Sequence, residues 1–477
     1  MSNTLKDAVK AASVAQIVYH GEQVTLPVGM GIDAAIDLLQ RRKAYEGEKV
    51  VMRESFDVFP WDGAHALDAV LTRKYGWSPA QASPGMFGPT PPQLMAIEVA
   101  PGVKKNIAWG DFGLPNVSGV VKTSYTHREG RIVFEVIAQI LRKDEATIKD
   151  LFDAVRKETE TNSIYRGKAI KIRFRDESGE KLQMPEPRFL NTEDVDESLL
   201  VYPDSVQRAI HTNLFTPITR VHDCIANNIP VKRGVLLGGT FGTGKTLAAK
   251  VASKLAVRAG ITYVYVPRAD ELSDAIEFAK QYQSPACVVF CEDIDRVASG
   301  ERSVAMDDVL NIIDGIDTKS ANIIVVLTTN NLPSINPAML RPGRLDAVIE
   351  VLAPDQKAVE RLLRLYGGKT ISEGADLSKA GALLAGNIPA VIAEVVKRAK
   401  LAQLALQKTG TAVEEITEDA LIDAAETMSA QVNLLRKCAE EEHAVKEPTL
   451  HDVMQGIVAK SLAKTNDKID AVHREVA

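Results

Sequence analysis

Gly234-Val235-Leu236-Leu237-Gly238-Gly239-Thr240-Phe241-Gly242-Thr243-Gly244-Lys245-Thr246-Leu247 is the stretch that decides the fold. A short apolar run precedes a glycine-rich turn, and a helix-forming sequence through residue 255 follows it. Residues 239–246 read G-x-x-x-x-G-K-[ST] in the context that gives the pattern meaning, strand before and helix after. The glycines let backbone N–H groups turn inward around phosphate oxygens, and the helix amino terminus adds the positive end of its dipole. Gly239, Gly242, Thr243, Gly244, Lys245, Thr246 and Leu247 are therefore the expected nucleotide-binding set. Lys245 bridges β- and γ-phosphates, and the Thr246 hydroxyl is offered to Mg²⁺.

Downstream, Cys287-Val288-Val289-Phe290-Cys291 is an apolar run of strand length that ends in Glu292-Asp293-Ile294-Asp295. A buried parallel strand delivers such carboxylates into the crevice where open α/β sheets bind ligands. One carboxylate is needed to hold Mg²⁺ and a second to orient or deprotonate an attacking water. By position Glu292 joins Thr246 at the metal and Asp293 takes the water, with the two roles exchangeable. A further apolar strand, residues 322–327, ends in Thr328-Thr329-Asn330, where a neutral amide contacts water or γ-phosphate without repelling either. Then comes Asn336-Pro337-Ala338-Met339-Leu340-Arg341-Pro342-Gly343-Arg344-Leu345-Asp346. Alone, Arg341 and Arg344 read as a solvated surface pair. Beside the three preceding features they read as fingers offered to a neighbouring subunit's γ-phosphate. Cys287 and Cys291 read as core thiols.

The rest of the chain sets the frame. Its 477 residues suit roughly two to four domains. With 45% apolar and 25% charged residues it has globular usage, which excludes a tethered peptide or a disulfide-stapled scaffold. Its 57 basic and 63 acidic side chains give a net charge of −6, and residues 1–130 hold equal numbers of each sign. No basic coat for nucleic acid is visible. Four cysteines and no Cys/His pair at zinc-ligand spacing point to reduced thiols in a cytosol-like compartment. Residues 1–10 have no apolar core of a leader, and no apolar run approaches the ~18 residues of a bilayer span, so a cytoplasmic protein without membrane association is expected.

Residues 1–130 alternate β-rich runs (16–26, 49–59, 120–125) with helical pieces (31–42, 63–74), giving an α+β amino-terminal domain for substrate recognition. Residues 83–92, rich in Pro and Gly, read as an irregular loop. Residues 131–198 follow as a small α+β unit, with strand 132–140, helix 144–160 and strand 164–174, and a charged, proline-broken linker from 177. Residues 199–354 alternate buried strands with helices, the pattern of a parallel sheet covered on both faces. Residues 355–435 form a helical lid, with amphipathic stretches at 359–366, 388–406 and from 418, and 436–477 a helical tail.

The phosphate loop, the acidic strand end, Thr328-Thr329-Asn330 and the run from Asn336 to Asp346 resemble, in order and spacing, the AAA branch of the AAA+ ATPases. The resemblance covers about residues 201–430. It implies an α/β fold, a P-loop AAA+ core plus helical lid, here preceded by an α+β amino-terminal region. It also implies ATP and Mg²⁺ as cofactors, a homo-oligomeric ring, usually hexameric, Asn330 as the sensor of the γ-phosphate, and Arg341 and Arg344 acting in trans.

The sequence departs from that family in three places. Glu292-Asp293 reverses the usual Asp-Glu order, and this resembles the subgroup of mitochondrial Rieske-protein assembly ATPases, without their membrane anchor. Between residues 262 and 285 the aromatic-apolar-Gly pore tripeptide is missing, and Tyr263 and Tyr265 read as core or edge packing on one strand face. Gly386-Asn387 stands where the family has Gly-Ala. The function expected is an ATP-hydrolysing ring that remodels or chaperones protein substrates without aromatic threading, recognising them through the amino-terminal region. A nucleic-acid-associated motor or loader, and a slow nucleotide-dependent assembly switch, are the alternatives. Balanced charge counts against the first, and the shortened acid at 293 favours the second.

Overall fold

The computed structural model describes residues 14–294, 321–335 and 345–428, apart from positions 20, 21, 28, 31, 87, 196, 408–412 and 414. The amino-terminal stretch is an antiparallel hairpin of β1 (Val14–Tyr19) and β2 (Glu22–Pro27), where sequence alone suggests one strand. After the helix Ile32–Glu46 come β3 (Lys49–Phe56), β4 (Ala80–Gln81), the β5 (Gln93–Ala100) and β6 (Val103–Trp109) hairpin, β7 (Asp111–Phe112), β8 (Gly119–Arg128) and β9 (Arg131–Leu141). β3, β9, β8, β7 and β4 form one antiparallel sheet in that order, with β5 and β6 paired separately. The boundary expected at 130/131 coincides with the turn between β8 and β9. Cross-strand pairing from Gly119↔Ile140 to Arg128↔Arg131 keeps both sides of it in one sheet.

Two helices, Pro60–Tyr75 and Glu145–Thr161, accompany this sheet. The first starts with proline, which has no N–H to leave unpaired, and stops at Gly76, whose φ of 83° is left-handed. Gly63 lets it sit close to the sheet, because a β-carbon there would lie 2.2 Å from the Phe134 ring. Residues 164–174 form a strand only over β10 (Ala169–Lys171), and the proline-broken stretch after residue 177 returns as β11 (Arg188–Phe189).

Both short strands belong to the second sheet. With β12 (Arg233–Gly238), β13 (Thr262–Val266), β14 (Cys287–Cys291), β15 (Ile323–Thr329) and β16 (Ala347–Glu350) they make seven strands, ordered β11-β10-β13-β14-β15-β12-β16. All pairs are parallel except β10 with β11. β14 and β15 are buried along their whole length, which is why their sequences are unbroken apolar runs. Alternate residues face opposite ways. Val235, Leu237, Val288 and Phe290 share a core with Ala248, Ala249 and Ala252 of the helix Lys245–Arg258. Leu236, Val264 and Val289 share another with Ala275 and Phe278 of the helix Leu272–Lys280, and this core runs on without a break into Phe56, Phe59 and Phe134.

The amino-terminal sheet is thus fastened to the parallel sheet through one core. Phe59 meets Phe278 edge-on at 5.3 Å, and Tyr165 meets Tyr282 at 5.9 Å. Each fully buried aromatic ring contributes about 1.5–3 kcal/mol relative to exposure. At the centre lies the Asp62 carboxylate, fully buried, accepting from the Ser163 hydroxyl at 2.6 Å, the Ile164 N–H at 2.9 Å and the Tyr282 hydroxyl at 3.2 Å. Burial outweighs those donors and pushes its pKa up to about 6.

Two compact units divide after Leu352, close to the start expected for the lid. The second contains the helices Gln356–Gly367, Ser378–Leu384 and Pro389–Leu406, and residues 418–428 are helical. Asp355 caps the first by accepting the Ala358 N–H at 2.9 Å. Arg364 donates to the carbonyls of Ser372, Glu373 and Ala375 and so fixes the loop after that helix. Gly386, left-handed at φ 79°, donates its N–H to the Pro354 carbonyl, while the Asn387 amide donates to the Leu384 carbonyl. The expected tail at 436–477 lies outside the described residues. Among the described residues no helix is long and apolar enough to cross a membrane.

Candidate functional site

β12 lies between β15 and β16, while the chain leaving it returns at β13, three strands away. Strand order reverses there, which opens a crevice at the carboxyl ends of β12, β14 and β15. The loop leaving β12 is pinned on both sides. Gly239 N–H donates to the Thr329 carbonyl at 3.2 Å, and Val351 N–H donates to the Gly238 carbonyl at 2.6 Å. A β-carbon on Gly239 would come within 2.4 Å of the Val351 carbonyl oxygen, so only glycine fits. Gly242 and Gly244 have left-handed φ values of 76° and 97°, which turn the loop into the helix that starts at Lys245. The Thr243 hydroxyl is buried and donates to the Thr240 carbonyl at 3.0 Å, bracing the loop from inside. The Lys245 ammonium donates to the Gly239 and Thr240 carbonyls at 2.7 and 2.8 Å, so its cation sits over the loop.

The two acids leave β14 with different surroundings. Asp293 has a left-handed φ of 48°, which costs a non-glycine residue about 1–2 kcal/mol and which aspartate tolerates better than most. β15 holds it there. Asp293 N–H donates to the Thr328 hydroxyl at 3.3 Å, Ile294 N–H to the Thr328 carbonyl at 2.9 Å, and the Asn330 amide to Asp293 Oδ1 at 2.8 Å. Glu292 is gripped from the other side, where the Tyr265 hydroxyl of β13 donates to its Oε2 at 2.8 Å. Burial and the neighbouring Glu292 push the Tyr265 phenol well above its ordinary pKa, so it remains a donor.

These groups enclose a cleft of about 360 Å³ lined by Phe241, Gly242, Gly244, Lys245, Thr246, Leu247, Glu292, Asp293, Thr328 and Asn330. Eight of the residues singled out in the sequence therefore meet in one place. Gly239 and Thr243 shape the loop without lining the cleft, and Arg341 and Arg344 lie outside the described residues. Asn330 contacts Asp293 directly, a partner that sequence alone does not give it. Thr328 lines the cleft beside Asn330 of its own Thr-Thr-Asn run, whereas Phe241 escapes sequence reasoning because the phosphate-loop pattern leaves its position open. Tyr202 escapes it too: its hydroxyl donates to the Gly244 carbonyl at 2.8 Å under the loop, from a segment 42 residues away. Tyr263 and Tyr265, read together as packing, part ways. Tyr263 is buried with its hydroxyl on the Ala249 carbonyl at 2.9 Å, whereas Tyr265 stands at the strand end and turns its polar tip to Glu292.

A cation and glycine-loop N–H groups facing two carboxylates suit a polyphosphate that arrives with a divalent cation. Mg²⁺ keeps several waters and takes one or two carboxylates plus substrate phosphates, so Thr246 and Glu292 in this cleft fit it as donors. Comparison with known proteins agrees. Residues 235–352 match the family described as "ATPase family associated with various cellular activities (AAA)".

This segment is an AAA ATPase domain.

The likeness to curated proteins extends over more residues than this segment holds. The chain is 33% identical over 215 residues to the "ATP-dependent zinc metalloprotease FtsH" of Rhodococcus erythropolis, covering 40% of this chain and 24% of that protein. It is 32% identical over 210 residues to the FtsH of Caldicellulosiruptor bescii, 39% of this chain and 33% of that protein. To the FtsH of Pirellula staleyi it is 27% identical over 264 residues, 51% of this chain and 36% of that protein. The chain thus spans about a quarter to a third of the length of the curated relatives it matches.

Proposed function

We propose that the protein hydrolyses ATP with Mg²⁺ in the cleft of its AAA domain and, as a homo-oligomeric ring, uses that hydrolysis to remodel protein substrates recognised by the amino-terminal region. The meeting of Lys245, Thr246, Glu292, Asp293 and Asn330 in one cleft carries this reading. Loop N–H groups and the Lys245 ammonium bind and neutralise the phosphates. Asp293, oriented by Asn330, accepts the proton of the water that attacks the γ-phosphate in line. Thr246 and Glu292 would hold Mg²⁺, which when bound would supply charge neutralisation to the phosphates. Arg341 and Arg344 complete the site from the next subunit, an assignment that rests on the family resemblance.

The zinc protease half of the relatives' name is not carried over. The eight histidines of this sequence include no H-E-x-x-H pair, and among the described residues no group of three His, Cys, Asp or Glu is placed to hold a metal. A cytoplasmic location and kinship to the Rieske-protein assembly subgroup remain part of this proposal. The latter rests on the Glu292-Asp293 order alone.

The test is a substrate trap. Asp293→Asn, which keeps ATP bound, serves as bait in source lysate with and without nuclease, against a Lys245→Ala control. A defined protein captured only by Asp293→Asn and indifferent to nuclease supports a protein remodeller. Capture that nuclease abolishes contradicts it in favour of nucleic acid.

A further inference from the structure

Tyr265 is a polar group at the cleft that the catalytic account does not use. Its ring is stacked on Phe290 with centroids 5.4 Å apart and planes at 23°. Lys171 Nζ lies 5.4 Å from the ring centroid. That lysine comes from β10, the strand added to the sheet from the region preceding the AAA domain, where Lys171 and Tyr265 are register partners. Fixed by these neighbours, the phenol reaches Glu292 Oε2 at 2.8 Å from outside the residues that line the cleft.

We propose that Tyr265 is a positioning residue that holds the Glu292 carboxylate in its metal-binding orientation. This rests on the assignment of Glu292 to Mg²⁺ made above. A glutamate side chain has three rotatable bonds, and an untethered one loses that freedom each time a cation binds. The hydrogen bond from Tyr265 removes that freedom beforehand and takes up one lone pair of Oε2, leaving Oε1 for a cation. Partners of this kind, bonded to a ligating carboxylate, change metal affinity by about 10–100-fold when removed. The same contact accounts for glutamate at position 292: the β13 phenol meets the longer side chain, and aspartate would stop one methylene short. The strand β10, by placing Lys171 against the ring, ties the amino-terminal region to the metal carboxylate.

The test uses the full chain and a fluorescent ATP analogue, titrated in EDTA and in excess Mg²⁺. The readout is the ratio of the two affinities, which needs no turnover. Tyr265→Phe is expected to leave the EDTA affinity within twofold of wild type and to shrink the Mg²⁺-dependent gain about tenfold. Glu292→Gln is expected to shrink it at least as much, and the double variant no further than Glu292→Gln alone. An unchanged Mg²⁺ gain in Tyr265→Phe, or an equal loss in EDTA and Mg²⁺, overturns the proposal while leaving Glu292 at the metal. An unchanged gain in Glu292→Gln overturns the metal assignment itself, and Tyr265 falls with it.

Discussion

At the scale of single residues, the site works by pinning side chains that the sequence alone leaves loose. Lys245 is held over the loop by two carbonyls, which a phosphate replaces with stronger charge-assisted partners. Lys245→Ala removes hydrogen bonds from a charged donor, each worth about 1.5–3 kcal/mol, so nucleotide affinity should fall about 10–100-fold in an equilibrium titration. Wild-type affinity in that variant would remove Lys245 from the phosphate site. Asp293 shows a second kind of control. Its backbone is strained, its N–H is tied to Thr328 and one carboxylate oxygen accepts from Asn330, leaving the other oxygen for water. The residue types of this site were readable in advance, because G-x-x-x-x-G-K-T and the acidic strand end are local patterns. Of the partners that aim them, Thr328 stands in the Thr-Thr-Asn run but its contact with Asp293 crosses between strands, while Tyr202 and Tyr265 come from segments where no local pattern marks them.

At the scale of elements, sequence periodicity finds the buried strands well and the short edge strands poorly. β12, β14 and β15 stand out as apolar runs, since both of their faces are covered. β11 is two residues long inside a charged, proline-broken stretch and pairs only because β10 offers a free edge. The junction around Asp62 was equally hidden, for it joins residues some 100 and 220 positions apart. It makes a measurable prediction. The Asp62 pKa is raised by burial from 3.8 to about 6, so between these values the folded state keeps a proton that the unfolded state has released. Stability then falls as pH rises through that window, by about 3 kcal/mol in all at 1.36 kcal/mol per pKa unit. Asp62→Asn, which has no proton to lose, should not show this fall, and denaturant midpoints at pH 4.5 and 7 compare the two. A parallel pH dependence in both proteins would show that Asp62 does not set it.

At the scale of the whole molecule, the amino-terminal sheet and the parallel sheet share a core, so the sheet that carries the cleft is packed continuously onto the amino-terminal region through Phe278 and Tyr282. The proposed ring would add a dependence between chains. If Arg341 and Arg344 act on a neighbour's nucleotide, Arg344→Ala protomers and Lys245→Ala protomers are each inactive alone, and an equal mixture regains turnover. An arginine finger is worth about 10³–10⁵ in rate, which leaves ample range to see that recovery. Mixtures as inactive as their components would place the arginine in its own chain's site or in none. The most direct measurement of the central claim is steady-state phosphate release from ATP with Mg²⁺, run beside nucleotide binding, for wild type and Asp293→Asn across protein concentrations. Wild type is expected to release phosphate at a rate per protomer that rises as rings form, and Asp293→Asn to bind ATP with wild-type affinity while releasing phosphate about 10²–10⁴-fold more slowly. Release by Asp293→Asn at the wild-type rate, or none by wild type at any concentration, would contradict that claim.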